Sequence, residues 1–383
     1  MVKRLVAIGL ISCGAAFAWD ILGGTLGQRT ADSDSNQRER LNAQWGTPQA
    51  QRAPEVSSAS IVVPLQSSRV NVHLDLEQRR KGLLWYNLYQ VRFDAHYVVR
   101  NTTANQHLTM RFSLPKGDGS YTDVSYRIGN RQIDAATALD QSEVPFELQP
   151  GATTSIDVAY SSRGTDSWIY WFSNGTQSVK DFDLVMTTNF SAVDFPPKTL
   201  LPVSEHASNG GWRGDWRYSA LVTTNGIGLV VPFPLQPGPL AQRITFWAPV
   251  ALLFYFFVML LMTTLRRVEL HPMNYFFLAC AFFAFHLLFA YLVDRVALIP
   301  AFIICSMVSI FLTVTYLRLV AGWRFAAVES GIAQLVYLVL FSYALFNEGW
   351  SGLTITIGAI VTLFAAMQLT GRIRWDERFA TAT

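Results

Sequence analysis

Polar and ionisable side chains set within apolar runs are the residues best placed to do chemistry in this chain. An ion in hydrocarbon costs a few kcal/mol and is kept there for a partner, a proton or a substrate. Four positions stand out. His271 precedes Pro272 at a helix start, His286 lies near the middle of an apolar helix, Glu329 lies a turn or two inside another, and Glu348 sits in a short loop. An imidazole or carboxylate in such a place could relay a proton or hold a polar headgroup. Plain structural roles compete with these. His271 can cap the helix that Pro272 opens, His286 can bond a backbone carbonyl or Tyr255, and Glu329 can pair with Arg318 or Arg324. The structural role is the expectation for these three, and for Asp20, which can reach water beside Trp19.

The polar part of the chain offers less. His73, His96 and His107 lie on or beside strand-like segments, with Asp75, Glu77 and Asp94 nearby in sequence. Linear spacing does not show whether any two carboxylates face each other, as a glycosidase pair would. The run Trp168, Tyr170, Trp171, Phe172 could stack on a glycan, but alternating aromatics more often place one face in a core. No hydrolase elbow, phosphate loop, metalloprotease helix or Cys/His metal cluster occurs. The three cysteines, Cys13, Cys280 and Cys305, all lie in apolar segments. That excludes a disulfide, a zinc thiolate pair or a thiol nucleophile in the polar region. No catalytic residue, metal or cofactor is expected. Asn101-Thr102-Thr103, Asn174-Gly175-Thr176 and Asn189-Phe190-Ser191 fit a glycosylation sequon, a match without expected meaning here.

The elements that position these residues follow from composition. Of 383 residues 51% are hydrophobic and only 15% charged, whereas soluble domains carry about 25% charged residues. A net charge of +3, with no basic stripe, argues against nucleic acid as a partner. A membrane-crossing helix needs roughly 20 apolar residues. Six runs qualify, at about 4–24, 244–265, 273–293, 296–319, 325–346 and 351–371. Leu10-Ile11-Ser12-Cys13 loosely fits a lipoprotein box and Ala16-Phe17-Ala18 a signal-peptidase site. The apolar run continues through Ile21-Leu22, so an uncleaved anchor is expected. With six crossings, Lys3-Arg4, Arg266-Arg267, Arg318, Arg324, Arg372, Arg374 and Arg378 fall on one side. By the positive-inside rule both termini are cytoplasmic and residues 25–240 are extracytoplasmic. Trp19, Trp247, Trp323, Trp350 and Trp375 near the helix ends read as interface anchors.

Residues 28–60 read as a polar linker with at most a short helix at 35–43. Strand signals follow: 61–65, 70–76, 85–100 with period-two alternation, 108–112, 124–128, 144–148, 154–160, 168–172, 179–188 and 215–222. Turn chemistry punctuates them at Asn101–Asn105, Pro115–Gly119, Gly129-Asn130 and Gly210-Gly211. The fold class expected is therefore a multi-pass α-helical membrane bundle of six helices plus a large all-β sandwich, as one unit or two. The domains are a 1–27 anchor, the 28–60 linker, a 61–240 sandwich ending in a stiff Pro-rich connector, a 241–375 five-helix bundle and a 376–383 tail.

Trp45-Gly46-Thr47-Pro48-Gln49, Arg80-Lys81-Gly82-Leu83, His271-Pro272-Met273-Asn274-Tyr275 and Thr370-Gly371-Arg372-Ile373-Arg374-Trp375 resemble passages of the CreD family of bacterial inner-membrane proteins. Trp45-Gly46-Thr47-Pro48-Gln49 is similar to a W-G-x-x-Q segment after that family's first helix, although Gln51-Arg52-Ala53-Pro54 stands where the family tends towards Gly-Pro. Arg80-Lys81-Gly82-Leu83 matches a basic-Gly-apolar strand start. His271-Pro272-Met273-Asn274-Tyr275 resembles the family's H-P-x-x-Y, and Glu348 falls at its acidic loop, where Gly349-Trp350 replaces an Asp-Tyr pair. Thr370-Gly371-Arg372-Ile373-Arg374-Trp375 resembles T-R-x-x-D-W, with Gly371 and Arg374 departing from it. The resemblance implies an inner-membrane, envelope-integrity or stress-linked role without an established reaction. Expected partners are the lipid bilayer and, at the periplasmic domain, an envelope protein, lipid or glycan. The alternative is a membrane-embedded enzyme or transporter for a lipid or envelope precursor, working through His286, Glu329 or Glu348.

Overall fold

The computed structural model describes residues 2–59, 61–115, 120–136, 143–172, 177–208, 210–347 and 349–371. The chain divides into two compact units. One comprises Met1–Asp34, Gly82–Leu84 and Leu235–Thr383, and the other Ser35–Lys81 and Trp85–Pro234.

The first unit is helical. Its helices are α1 (Val2–Trp45, whose later residues belong to the second unit), α2 (Pro237–Arg266), α3 (Pro272–Leu292), α4 (Leu298–Ala321), α5 (Phe325–Ala344) and α6 (Ser351–Thr370). All six are long and apolar enough to cross a membrane. The expected spans hold to within a few residues except at two junctions. Pro237 opens α2 at its first position, so the expected stiff connector over 230–240 is instead the end of a strand, a short link and a helix start. Proline suits that place because its φ is already helical and its missing N–H has no partner to lose. At the other junction α1 does not stop near residue 24. It runs to Trp45, so the polar stretch expected as a linker is helix for most of its length. Gln37, Arg38, Glu39, Arg40 and Leu41 are good helix formers with no breaker among them. The helix ends at Gly46, which takes φ +85° and donates its N–H to the Asn42 carbonyl at 2.8 Å.

That extension also relocates Trp19. Far from a helix end, it is fully buried, with its indole against Phe282, Phe283 and His286. It is a core residue and not an interface anchor. Trp247, Trp323 and Trp350 are exposed. Trp375, the arginines at 372, 374 and 378, and the 376–383 tail lie outside the described residues.

Among the described residues the second unit has fifteen strands: β1 (Gln49–Arg52), β2 (Glu55–Ser58), β3 (Ile61–Val63), β4 (Leu65–Lys81), β5 (Leu84–Arg100), β6 (His107–Arg111), β7 (Tyr121–Ile128), β8 (Arg131–Gln132), β9 (Glu143–Glu147), β10 (Thr153–Thr165), β11 (Ser167–Trp171), β12 (Gln177–Thr188), β13 (Ser204–Ser208), β14 (Gly211–Thr223) and β15 (Ile227–Val230). They form an eight-stranded sheet in the order β13-β14-β12-β4-β5-β10-β7-β8, a four-stranded sheet β3-β2-β6-β9 and a three-stranded sheet β1-β11-β15. Two strands therefore arise from the stretch expected as linker. β1 pairs parallel with β11, Gln49 opposite Trp168, and β12 lies parallel to β4, Thr187 opposite His73.

Alternation explains the core. Tyr89, Val91, Phe93, Ala95, Tyr97 and Val99 all point inward on β5, as do Val70, Val72 and Leu74 on β4. Each large side chain buried this way contributes roughly 1.5–3 kcal/mol. One continuous core takes residues from all three sheets, from Val56 to Val231. The aromatic run sits in it: Trp168, Tyr170 and Phe172 are buried and only Trp171 is half-exposed. Of that cluster only Trp171 meets solvent.

Candidate functional site in the helical unit

The sequence-predicted positions separate. His271 is the N-cap of α3, its Nδ1 accepting the backbone N–H of Met273 at 3.2 Å. His286 is buried in α3, and its Nδ1 lies 3.1 Å from the carbonyl of Phe282. A carbonyl only accepts, so Nδ1 carries the proton and Nε2 of the neutral ring is an acceptor. That Nε2 has no partner, and neither has the indole Nε1 of Trp19, whose ring centroid lies 5.4 Å away. Tyr255, the other partner open to His286, bonds Ser330 instead, at 2.9 Å.

Glu329 overturns an expectation. Its partner is neither Arg318 nor Arg324 but Arg266 at the end of α2, with 2.9 Å between Arg266 Nη2 and Glu329 Oε1. Glu329 Oε2 is buried without a partner. The residues nearest in sequence lose because an α-helix points each side chain at whatever packs on its own face, and α5 packs on α2. His271, His286 and Glu329 share no bond with one another. Glu348 lies outside the described residues.

Sequence reasoning missed a polar seam that joins the helices. α5 is interrupted by two stretches of π-helix, Phe325–Ser330 and Leu335–Leu340, with Gly331–Gln334 between them. Such insertions are uncommon and recur at functional places in helices. Around them Ser330 bonds Tyr255, and Gln334 Nε2 donates to Ser309 Oγ at 2.8 Å. Ser309 donates to the Ala281 carbonyl at 2.6 Å. All four side chains are buried. The legible signal was the recurrence of Ser306, Ser309 and Thr313 every three or four residues along α4, and a lone Gln334 in an apolar run. An ion pair, Arg29 with Asp294 at 2.5 Å, closes a further junction within this unit.

In the second unit the histidines lie on strands and pair locally. His73 meets Thr187 Oγ1 at 2.8 Å and Asp75 Oδ1 at 3.1 Å, and Asp75 also holds Arg92 at 3.0 Å. His96 bonds Asp157 at 2.6 Å, while His107 stands 3.7 Å from Glu147. These are neighbours on or across strands of open sheet surface, each half-exposed or more. Among the described residues no group of three or more His, Cys, Asp or Glu is arranged to hold a metal. The Arg213 guanidinium, bonded to both oxygens of Asp215, holds that carboxyl below the usual range.

The Trp-Gly-x-x-Gln segment has a structural explanation. Trp45 is buried with the guanidinium groups of Arg79 and Arg163 each 4.9 Å from its ring. Gly46 turns the chain, and the buried amide of Gln49 donates to the Arg163 carbonyl at 2.7 Å and accepts from Ser162 at 3.0 Å. Asn101, the first sequon residue, is buried with its amide nitrogen donating to the carbonyls of Asn105 and Leu148, both at 2.7 Å. It presents no free amide for a glycan. Asn174-Gly175-Thr176 lies outside the described residues.

Residues 230–376, which carry α2 to α6, match the family model described as Inner membrane protein CreD. The chain is similar to that family over this segment. It is 24% identical over 216 residues to the inner membrane protein CreD of Escherichia coli K12, a match covering 51% of this chain and 47% of the relative. The match thus spans about half the length of that curated relative. The CreD-like segment holds the His271-Pro272 cap, the Arg266–Glu329 pair and the whole α4–α5 seam. A solved structure of a putative nutrient binding protein from Legionella pneumophila is also similar, at 11% identity over 52% of this chain and 74% of that chain, with a TM-score of 0.38. At that distance the likeness bears on neither fold nor function.

Proposed function

We propose that this CreD-like chain is a non-enzymatic inner-membrane protein that serves envelope integrity or a stress response through a periplasmic β-sandwich. The observation that carries it is the pairing of six membrane-length apolar helices with a family match lying on five of them. Both termini are cytoplasmic in this reading, because Arg4, Arg266-Arg267, Arg318 and Arg324 then share the cytoplasmic side. The sheet unit is the periplasmic part. Its partner is an envelope protein, a lipid or a glycan, met through exposed apolar side chains such as Leu201, Val203 and Phe233.

The experiment has two parts. Single cysteines at Ser161 and at Arg324 of the full chain, in intact cells, are labelled with a membrane-impermeant maleimide. Labelling at 161 and protection at 324 is the expected result, and the reverse pattern overturns the orientation. Leu201→Ala, Val203→Ala and Phe233→Ala are then scored for envelope sensitivity to detergent in a strain lacking the native gene. Full complementation by all three removes the basis for a binding role at those side chains.

A second reading has an observation of its own. The two π-helical stretches and the unpaired atoms of His286 and Glu329 favour handling of a lipid or envelope precursor within the helices. Retention of such a molecule by the purified wild-type chain, lost in His286→Phe, is its test.

A further inference from the structure

We propose that the helical unit holds a site for a dehydrated monovalent alkali cation between α4 and α5, built on Gln334, Ser309 and Thr313. The inference begins with one proton. Ser309 has a single hydroxyl hydrogen, and it goes to the Ala281 carbonyl at 2.6 Å. Its oxygen can therefore only accept from Gln334, so the amide nitrogen of Gln334 faces it at 2.8 Å. The orientation of the amide is fixed by that network. Its carbonyl oxygen, Oε1, is left buried with no partner, on a side chain with 0% exposure.

A second oxygen is in the same state. Thr313 is 1% exposed, and its Oγ1 has no partner. It follows Ser309 by about one turn of α4, as Ser330 precedes Gln334 by about one turn of α5. The two helices run antiparallel and close: a Cβ placed on Gly331 would stand 3.6 Å from Val314 Cγ2. Thr313 thus lies at the level of Ser330, next to the layer of Ser309 and Gln334. Buried acceptors left unpaired are unfavourable, and a bound group would satisfy them.

The chemistry of the donor set selects the group. The unclaimed atoms of these two adjoining layers are an amide oxygen and a hydroxyl, and the Ser309 oxygen meets the same amide. One N–H of the Gln334 amide goes to Ser309, and among these side chains there is no cationic group such as an anion would need. Divalent calcium or magnesium asks for carboxylates, and transition metals ask for nitrogen or sulfur. Neutral oxygens in a dry helix core suit an alkali cation, the more so where irregular helix lines the place. The π-helical turns on both sides of Gln334 supply that irregularity. Glu329, next to Ser330 in sequence, is paired with Arg266 and is not counted among the ligands. This site lies in the helical unit and does not depend on the periplasmic reading.

The test is thermal unfolding of the full chain in detergent micelles, read by tryptophan fluorescence, in choline chloride against sodium or potassium chloride at equal ionic strength. The expected result is a saturable rise in Tm with sodium or potassium and none with choline. Gln334→Leu abolishes the rise, and the isosteric Thr313→Val moves its midpoint at least tenfold higher in salt. Equal Tm in the three salts overturns the proposal. So does a cation effect undiminished in both variants. Where Gln334→Leu fails to fold, Thr313→Val decides alone.

Discussion

The hydroxyl of Tyr160 donates to the amide oxygen of Gln51 at 2.7 Å inside the core of the sheet unit. Gln51 is 0% exposed, and its amide nitrogen donates onward to the carbonyls of Arg52 and Ser113. A polar side chain this deep is tolerated because each of its atoms is satisfied. Removing the hydroxyl leaves the Gln51 oxygen bare, so Tyr160→Phe is expected to cost about 1–3 kcal/mol. Chemical denaturation of the full chain checks it. Gln51→Leu together with Tyr160→Phe should be milder than the sum of the two single changes, since neither the Gln51 oxygen nor the Tyr160 hydroxyl is then left facing a missing partner.

The pair between Arg266 and Glu329 is unequal, and its variants should be too. The Glu329 side chain is 7% exposed and that of Arg266 54%. Arg266→Met strands a carboxylate in a desolvated place and is expected to destabilise by up to about 3 kcal/mol. Glu329→Gln leaves a neutral amide oxygen that still accepts from Arg266, and should cost less than a third of that. Thermal unfolding in micelles orders the two. Equal losses would count against the desolvation argument.

Acid should act through Asp215. Its carboxyl is held below the ordinary range, first by the hydrogen bonds from Arg213. A depressed folded-state value contributes stability that is complete above the unfolded value of about 3.9 and is lost as pH falls through the folded one. Asp215→Asn should therefore flatten part of the stability loss of the full chain below about pH 4, while lowering stability at neutral pH.

Alkali should act through buried phenols. Burial raises Tyr89, Tyr97, Tyr126, Tyr160 and Tyr170 above the ordinary tyrosine range, and pushes Tyr121 up to about 12. These groups favour the folded state fully below the unfolded value of about 10, and that preference is lost as pH rises through their folded values. A phenolate-absorbance titration should show them silent until the chain unfolds, then ionising together. Gradual ionisation of all tyrosines near pH 10 would contradict the burial.

What could be read from residues alone follows from the range of the forces involved. Alternation on β5 and the lengths of α2 to α6 are local patterns, and the structure follows them closely. His271 before Pro272 is local as well. The failures are non-local. The polar second half of α1 reads as linker because its residues lack an apolar stripe, although nothing in it breaks a helix before Gly46. Trp19 reads as an interface anchor only if the helix stops near residue 24, and it runs to Trp45. Glu329 could not be matched to Arg266 across more than sixty intervening residues, nor Gln334 to Ser309, because helix packing chooses those pairs. The parallel neighbours β12 and β4 are likewise set by tertiary closure and not by any local signal.

The pairing of β1 with β11 carries a consequence for how this chain is made. Gln49 meets Trp168, and β15, at residues 227–230, covers the other side of β11. A ribosome adds about 5–20 residues each second. The first strand of the sheet unit therefore waits on the order of ten seconds for its neighbour, and longer before the core closes. For most of that interval Gln49 lacks Ser162 and Arg163, and Trp45 lacks the second of its two arginines. An attendant that shields nascent strands would be needed most in those seconds, and slowing translation between residues 52 and 167 should raise the share of chains lost to proteolysis.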